Sequence, residues 1–225
     1  MNHAHRSPTA TVTSLAALVA LCFETIVRPV LAEERPLLSA ATERSSPGEV
    51  RPSGDLVRVV LGSIDKDDIQ QLDECLSDEG RPPADFASLL SAVKIPLGAG
   101  HTLWFVRPTL RPYCFGLYGA HSFRYFFIEE QRAEPHYRLL FQNGGDFFRV
   151  YRQQSHGLND IEATGCIASE CSSARMSFDG REYRPVRCTV TTWDDRRREV
   201  TTSRRCASDG WRDDQSSGFA PRSGG

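Results

Sequence analysis

The six cysteines beyond residue 32 constrain this chain more than any other feature. They are Cys75, Cys114, Cys166, Cys171, Cys188 and Cys206, while a seventh, Cys22, sits in an apolar run near the start. An even set in a chain that reaches an oxidising compartment reads as a disulfide framework. Six cysteines admit fifteen pairings, and spacing alone does not choose among them. The preferred reading joins Cys75–Cys114, Cys166–Cys171 and Cys188–Cys206. The second of these would clip one short loop. The third would close across a hairpin centred near Arg197. The competing zinc reading lacks paired Cys-x-x-Cys knuckles and lacks a histidine cluster.

The first residues supply the compartment that such a framework needs. Met1 to Arg6 is short and mildly positive, Leu15 to Phe23 is apolar, and Val30-Leu31-Ala32 ends in small or slim residues. That order is the order of a cleavable secretory signal, so residues 1–32 are expected to be a signal peptide cut after Ala32. The apolar run falls short of the roughly 20 residues that cross a bilayer, and Glu24 and Arg28 break the pattern just beyond it. The alternatives are a buried amphipathic terminal helix and a lipoprotein anchored at Cys22, where bulky Leu21 occupies a position that needs a small residue. No later apolar run is long enough to span, so no integral membrane span is expected after cleavage. A periplasmic or secreted location is expected. The net charge of −2, from 27 basic and 29 acidic side chains, gives no basic surplus of the kind that marks nucleic-acid binding.

Composition and periodicity then divide the chain. Residues 33–54 are rich in Pro, Ser, Glu and Arg without periodicity and read as a disordered leader. Residues 207–225, rich in Ser, Gly and Asp, read as a disordered tail. Between them, 55–206 reads as one globular domain. Asp65 is placed to cap a helix over about 66–78, with Ile69, Leu72 and Leu76 at helical spacing and Gly80 as its stop. A second helical patch is expected over 84–93. From Ile95 the pattern changes to strands at 101–106, 113–118, 122–128, 137–142, 147–151, 158–164, 174–178 and 181–186. Asn143-Gly144-Gly145-Asp146 between two of these runs signals a hairpin turn, and so does Asp179-Gly180. The expected fold is mainly β with a small helical N-terminal part (α+β): helical over 55–94, an antiparallel β meander over 95–206.

His156-Gly157-Leu158-Asn159-Asp160-Ile161 and Phe178-Asp179-Gly180-Arg181-Glu182-Tyr183 form the most distinctive pair of motifs. They resemble a Gly-x-x-Asp-Ile…Phe-Asp-Gly-x-x-Tyr pattern of exported bacterial proteins of unassigned function. The pattern is also distantly similar to the strand-turn units of FG-GAP-type propeller blades. The resemblance covers about 136–188 and implies a β meander with Asp160, Asp179 and Gly180 as turn residues; it implies no activity. One copy is present where a propeller needs several, and the alternating acids of a calcium loop do not accompany Asp160.

The remaining chemistry is sparse. His101, His121, His136 and His156 form no local ligand pair. His121 with Ser122, and His156 with Asp160, are the pairs that a fold would have to complete. No serine occupies a Gly-x-Ser-x-Gly elbow. No catalytic, cofactor-binding or metal residues, and no cofactor, are assigned. Aromatics crowd residues 104–151, and bulk on both faces of Phe123 to Ile128 marks a strand buried on both sides or an exposed aromatic patch. Arg196-Arg197-Arg198 reads as a solvated hairpin tip balanced by Asp194 and Asp195. The expected class is a non-enzymatic binding or inhibitory module of the cell envelope, its partner an envelope protein or a glycan. The alternative is a small periplasmic or secreted hydrolase, and the third possibility is an envelope protein that oligomerises through a sheet edge.

Overall fold

Local sequence forms two helices between the first strand and the others. The computed structural model describes residues 35–97, 102–119, 122–134 and 136–206. The signal peptide expected over 1–32 with Cys22, the tail expected over 207–225, and His101 and His121 lie outside the described residues. Helix α1 (Gly54–Leu61) starts at Ser53, whose side chain accepts the Leu56 N–H. Helix α2 (Lys66–Asp78) starts at Asp65, which accepts the Asp68 N–H at 2.8 Å. These caps satisfy amide donors that a helix start otherwise leaves open. Each helix buries one apolar stripe, Leu56, Val57 and Val60 in α1 and Leu72 and Leu76 in α2.

Ten strands then make two antiparallel sheets. The smaller sheet runs β2 (Leu90–Pro96), β3 (Thr102–Pro108), β4 (Phe123–Glu130) and β5 (Tyr137–Gly145) in order. The larger sheet has the order β1 (Leu38–Ala41), β6 (Phe147–Ser155), β7 (Leu158–Ile167), β8 (Glu170–Phe178), β9 (Tyr183–Trp193) and β10 (Glu199–Arg204). The fold is therefore mainly β with a meander topology, as its alternating turns and strands imply.

The sheets face each other across an aromatic core. Phe148 of β6 stacks on Phe105 of β3 at 4.9 Å between ring centres, and Tyr125 and Phe127 of β4 flank it. Alternation along β4 sends Arg124 to the opposite face, where it pairs with Asp68 of α2 at 2.7 Å. The four-stranded sheet is thus covered on both sides. That is why Phe123, Tyr125, Phe126, Phe127 and Ile128 are all buried.

Several sequence expectations are corrected. The Asn143-Gly144-Gly145-Asp146 stretch is not a hairpin turn. Its first three residues continue β5 and pair with β4, Tyr125 opposite Asn143 and Phe123 opposite Gly145, and β6 joins the other sheet. The reason is a close approach: a Cβ on Gly145 would sit 2.8 Å from the Thr164 carbonyl oxygen of β7. Only glycine lets the end of one sheet touch the other. The helical patch expected over 84–93 becomes a short 3-10 turn, Phe86–Leu89, leading into β2. Residues 90–93 are buried on both faces, and pairing with β3 satisfies a backbone that would otherwise lie unbonded in the core. The strand expected at 113–118 is a loop, because the Leu117 and Tyr118 N–H groups both turn back to the Cys114 carbonyl.

Nor is the described part of the leader, from residue 35 onward, without structure. Leu38–Ala41 forms β1 against β6, and Val50 then bridges to Ala92 of β2. Residues 38–50 thereby strap an edge of both sheets. Arg107 of β3 holds the strap. Its side chain is buried and donates to the carbonyls of Ala41 (2.7 Å), Arg44 (2.7 Å), Thr42 (3.0 Å) and Pro108 (3.2 Å). The guanidinium also lies 4.4 Å from the centre of the Phe123 ring. A buried charge is tolerated when its donors are occupied.

Two substitutions probe this strap and corner. Arg107→Met strips the bonds from three strap carbonyls and should lower the unfolding free energy by about 3 kcal/mol. Hydrogen exchange at Leu37 and Thr42 should accelerate with it; unchanged protection there would mean that the strap does not need the arginine. Gly145→Ala should cost about 1–3 kcal/mol through the clash with Thr164. Gly144→Ala, which meets only ordinary contacts, should change stability by less than about 1 kcal/mol. Denaturant titration of the pair gives the comparison.

Candidate functional site

The loop from Thr109 to Gly119 turns half of its side chains inward. Cys114 is buried and bonded to Cys75 of α2, and Leu117 and Tyr118 are buried beside it. The Gly116 backbone presses on α2 so closely that a Cβ there would lie 2.9 Å from the Asp68 carbonyl oxygen. The Tyr118 hydroxyl donates to the Thr109 carbonyl at 2.7 Å. Burial pushes the Tyr118 phenol upward, with the nearby Arg107 opposing.

The other side chains of the loop stay in water. Phe115 is 76% exposed, Tyr113 47% and Leu110 39%. Tyr113 stacks on Tyr118 at 4.2 Å and meets Phe115 edge-on at 6.1 Å. Its hydroxyl donates to the Gly119 carbonyl at 2.5 Å. An apolar side chain left exposed gains nothing for folding. Here three occur on one loop that is covalently tied to a helix, two of them in ring contact. Aromatic groups held this way lose little conformational freedom on binding.

A second cluster lies on the outer face of the six-stranded sheet. Asp160 and Glu162 stand two residues apart on β7 and so share a face, with side chains only 2% and 9% exposed. Ser155 donates to Asp160 at 2.9 Å, and the Arg175 Nε lies 3.6 Å from its other oxygen. Arg149 donates to Glu162 at 2.6 Å, and Arg187 reaches its second oxygen at 3.9 Å. Arg175 also stacks over the Tyr151 ring at 3.9 Å. Burial, then the charge of Glu162, raises the Tyr151 phenol. Arg149, Glu162, Arg175 and Arg187 are direct cross-strand partners on β6 to β9. Glu162 thus faces an arginine on each side, opposite-charge pairs that support strand register, while Arg175 and Arg187 are like charges directly opposed and Arg187 reaches back to Glu162. Each carboxylate is engaged by an arginine.

The motif residues occupy the two ends of neighbouring hairpins. His156 and Gly157 have φ of +50° and +80° and make the β6–β7 turn. Asp179 and Gly180 lie in the β8–β9 connection, where Asp179 accepts the Arg181 and Glu182 N–H groups at 2.8 Å. Those backbone bonds, Glu182 first, hold its carboxyl below the usual carboxylate range. Only Gly180 of that pair has positive φ, so the turn is a four-residue loop. The two turns touch: a Cβ on Gly180 would meet the His156 ring at 3.6 Å, and the His156 Nδ1 is 2.9 Å from the Phe178 carbonyl oxygen. Tyr183 donates to the Asn159 carbonyl at 2.8 Å. Asp160, expected as a turn residue, lies inside β7 instead, because β7 begins at Leu158 immediately after the turn. The His156 ring serves the neighbouring turn, while Asp160 is engaged by Ser155 and Arg175. His136 makes an exposed pair with Glu134 at 2.8 Å.

The cysteines pair as Cys75–Cys114, Cys166–Cys171 and Cys188–Cys206. Cys166 and Cys171 are directly opposed on β7 and β8 with Cα atoms 4.0 Å apart, the closeness expected of a pair that does not exchange backbone hydrogen bonds. Three disulfides belong to an oxidising, non-cytoplasmic compartment. Among the described residues no helix is long and apolar enough to cross a membrane, and no group of three or more His, Cys, Asp or Glu is placed to hold a metal ion.

Comparison with known protein families, curated proteins and solved structures finds no match to this chain. Its function must therefore be read from its own residues. In the sequence Tyr113 stands out as one of many aromatics, but 113–118 has the look of a strand. The signal that places it in a loop is Arg111-Pro112 beside a cysteine, since the proline lacks a ladder donor.

Loop closure ranks the disulfides. Replacing Cys75 and Cys114 by Ser releases a segment of 39 residues and should cost roughly 4 kcal/mol. Replacing Cys166 and Cys171 by Ser should cost roughly 2 kcal/mol. Denaturant melts of the two double variants measure the gap. Equal losses would mean that the loop is not pinned through α2.

Proposed function

We propose that this chain is an exported, disulfide-braced binding module of the cell envelope that docks a protein partner through Leu110, Tyr113 and Phe115. The observation that carries the reading is the exposure of three large apolar side chains on a loop tied to α2 by Cys75–Cys114. Rigid aromatic anchors dominate the energetics of protein interfaces. The secretory pattern of residues 1–32 supports a periplasmic or extracellular location, and the bonded cysteines agree with it. The arginine pairing of Asp160 and Glu162 supports a structural part for that sheet face, and Phe115 is the most exposed of the large apolar side chains among the described residues.

The test is affinity capture with residues 33–225, oxidised and immobilised, from an envelope extract of the native host. Tyr113→Ser/Phe115→Ser serves as the comparison, because both side chains are largely exposed and their loss should leave the fold intact by circular dichroism. The native protein should enrich a partner that the double variant retains at least ~tenfold less well. The same proteins on both surfaces would overturn the reading.

A further inference from the structure

Strand β10 forms one edge of the larger sheet, and all six of its residues are exposed. Its hydrogen-bonding alternation can be read from the turn before it. The Asp194 N–H donates to the Arg198 carbonyl at 3.0 Å, and these two residues are opposed in the β9–β10 register. Bonded and non-bonded pairs alternate along an antiparallel ladder. Val200, Thr202 and Arg204 therefore direct their backbone groups to β9. Glu199, Thr201 and Ser203 direct theirs outward, to no other strand among the described residues.

Natural edge strands are usually blunted by proline, a bulge or a central charge. β10 has none of these: it reads Glu199-Val200-Thr201-Thr202-Ser203-Arg204, pairs with β9 without a register shift, and carries charge only at its ends. The disulfide Cys188–Cys206 holds its far end to β9. The edge is unbulged, held to β9 at both ends, and paired with no further strand among the described residues.

We infer that β10 pairs with β10 of a second copy of this chain, antiparallel about a two-fold axis at Thr202, to make one continuous sheet. A two-fold perpendicular to the sheet requires like faces to oppose, so each residue meets one of equal parity. With Thr202 on the axis, the outward groups of Thr201 meet those of Ser203 of the second copy. Glu199 faces Arg205 on the same side, twice by symmetry. The neighbouring register, centred on Thr201, sets Arg198 against Arg204, and like charges directly opposed disfavour it. Charge complementarity thus selects both the occupant and the register: a strand with Glu at one end and Arg just past the other is its own antiparallel complement. The contact is isologous and adds a strand to an edge through main-chain bonds. It is small, so association is concentration-dependent. It involves neither the aromatic loop nor its partner.

Sedimentation equilibrium on residues 33–225 over a range of concentrations tests this. The native protein should show a monomer–dimer equilibrium. Thr201→Pro removes an outward N–H and no backbone bond to β9, losing only the exposed hydroxyl pair with Thr191. The fold should therefore persist by circular dichroism while dimerisation weakens at least ~tenfold; Thr201→Val, which loses the same hydroxyl pair but keeps the N–H, should still dimerise. Glu199→Arg should weaken it by setting arginine against arginine, and Glu199→Arg/Arg205→Glu should restore it. A monomer at every concentration would overturn the inference, as would a dimer indifferent to Thr201→Pro. A monomer that dimerises only when residues 207–225 are deleted would also overturn it, by giving the edge to the chain's own tail.

Discussion

One residue, Asp146, holds the corner at which the chain leaves one sheet and enters the other. Its N–H donates to the Thr164 carbonyl of β7, and its carboxylate accepts the Cys166 N–H at 2.6 Å. Its carbonyl accepts both the N–H and the hydroxyl of Thr42, at 3.0 and 3.2 Å. A corner in a sandwich exposes backbone groups that neither sheet can pair, and here every polar group of the corner residue has a partner. The bare Gly145 beside it permits the approach. Two residues later, Phe148 enters the space between the sheets and stacks on Phe105. The aromatic core, the disulfide-clipped β7–β8 hairpin and the N-terminal strap thus converge on a turn one residue wide.

Arg107 completes that arrangement from the other sheet. The strap carries three carbonyls that β6 and β2 do not use, and a guanidinium has the donor number and planar spread to take them. The cost of burying the charge is offset by four bonds and by the face of Phe123. This is a local solution to a local deficit. It explains how a segment of low apolar content is held against the strands it crosses. With α2 bonded to the β3–β4 loop, Tyr113 and Phe115 are presented to solvent on backbone tied to a helix.

The features legible in the sequence are those that depend on near neighbours. The Asp65 cap and the Leu72, Leu76 stripe define α2 within four residues, and the cysteine spacing of 166 and 171 implies a clipped turn. Asp194 beside Arg198 likewise marks a hairpin tip, where it accepts the Arg196 and Arg198 N–H groups. The features that escaped depend on distant pairing. Asn143-Gly144-Gly145-Asp146 has the composition of a tight turn, and only contact with Thr164, far along the chain, makes it a corner. Residues 84–93 have helical spacing in isolation, and pairing with β3 makes Leu90 onward a strand. Residues 38–50 look unstructured until Arg107 supplies the donors their backbone lacks. For the candidate site, the aromatic residues were visible in the sequence. Their exposure was not, because it arises from a disulfide that turns Cys114 inward and its neighbours out.

The corner is open to direct measurement by nuclear Overhauser contacts in solution. If the chain passes from one sheet to the other at Asp146, Gly145 should show contacts to Phe123 across the β4–β5 pair, and the Phe148 ring should show contacts to Phe105. Cross-strand contacts between Gln142 and Phe147, with none between the Phe148 and Phe105 rings, would place these residues in a local hairpin. That result would contradict the two-sheet account at its root.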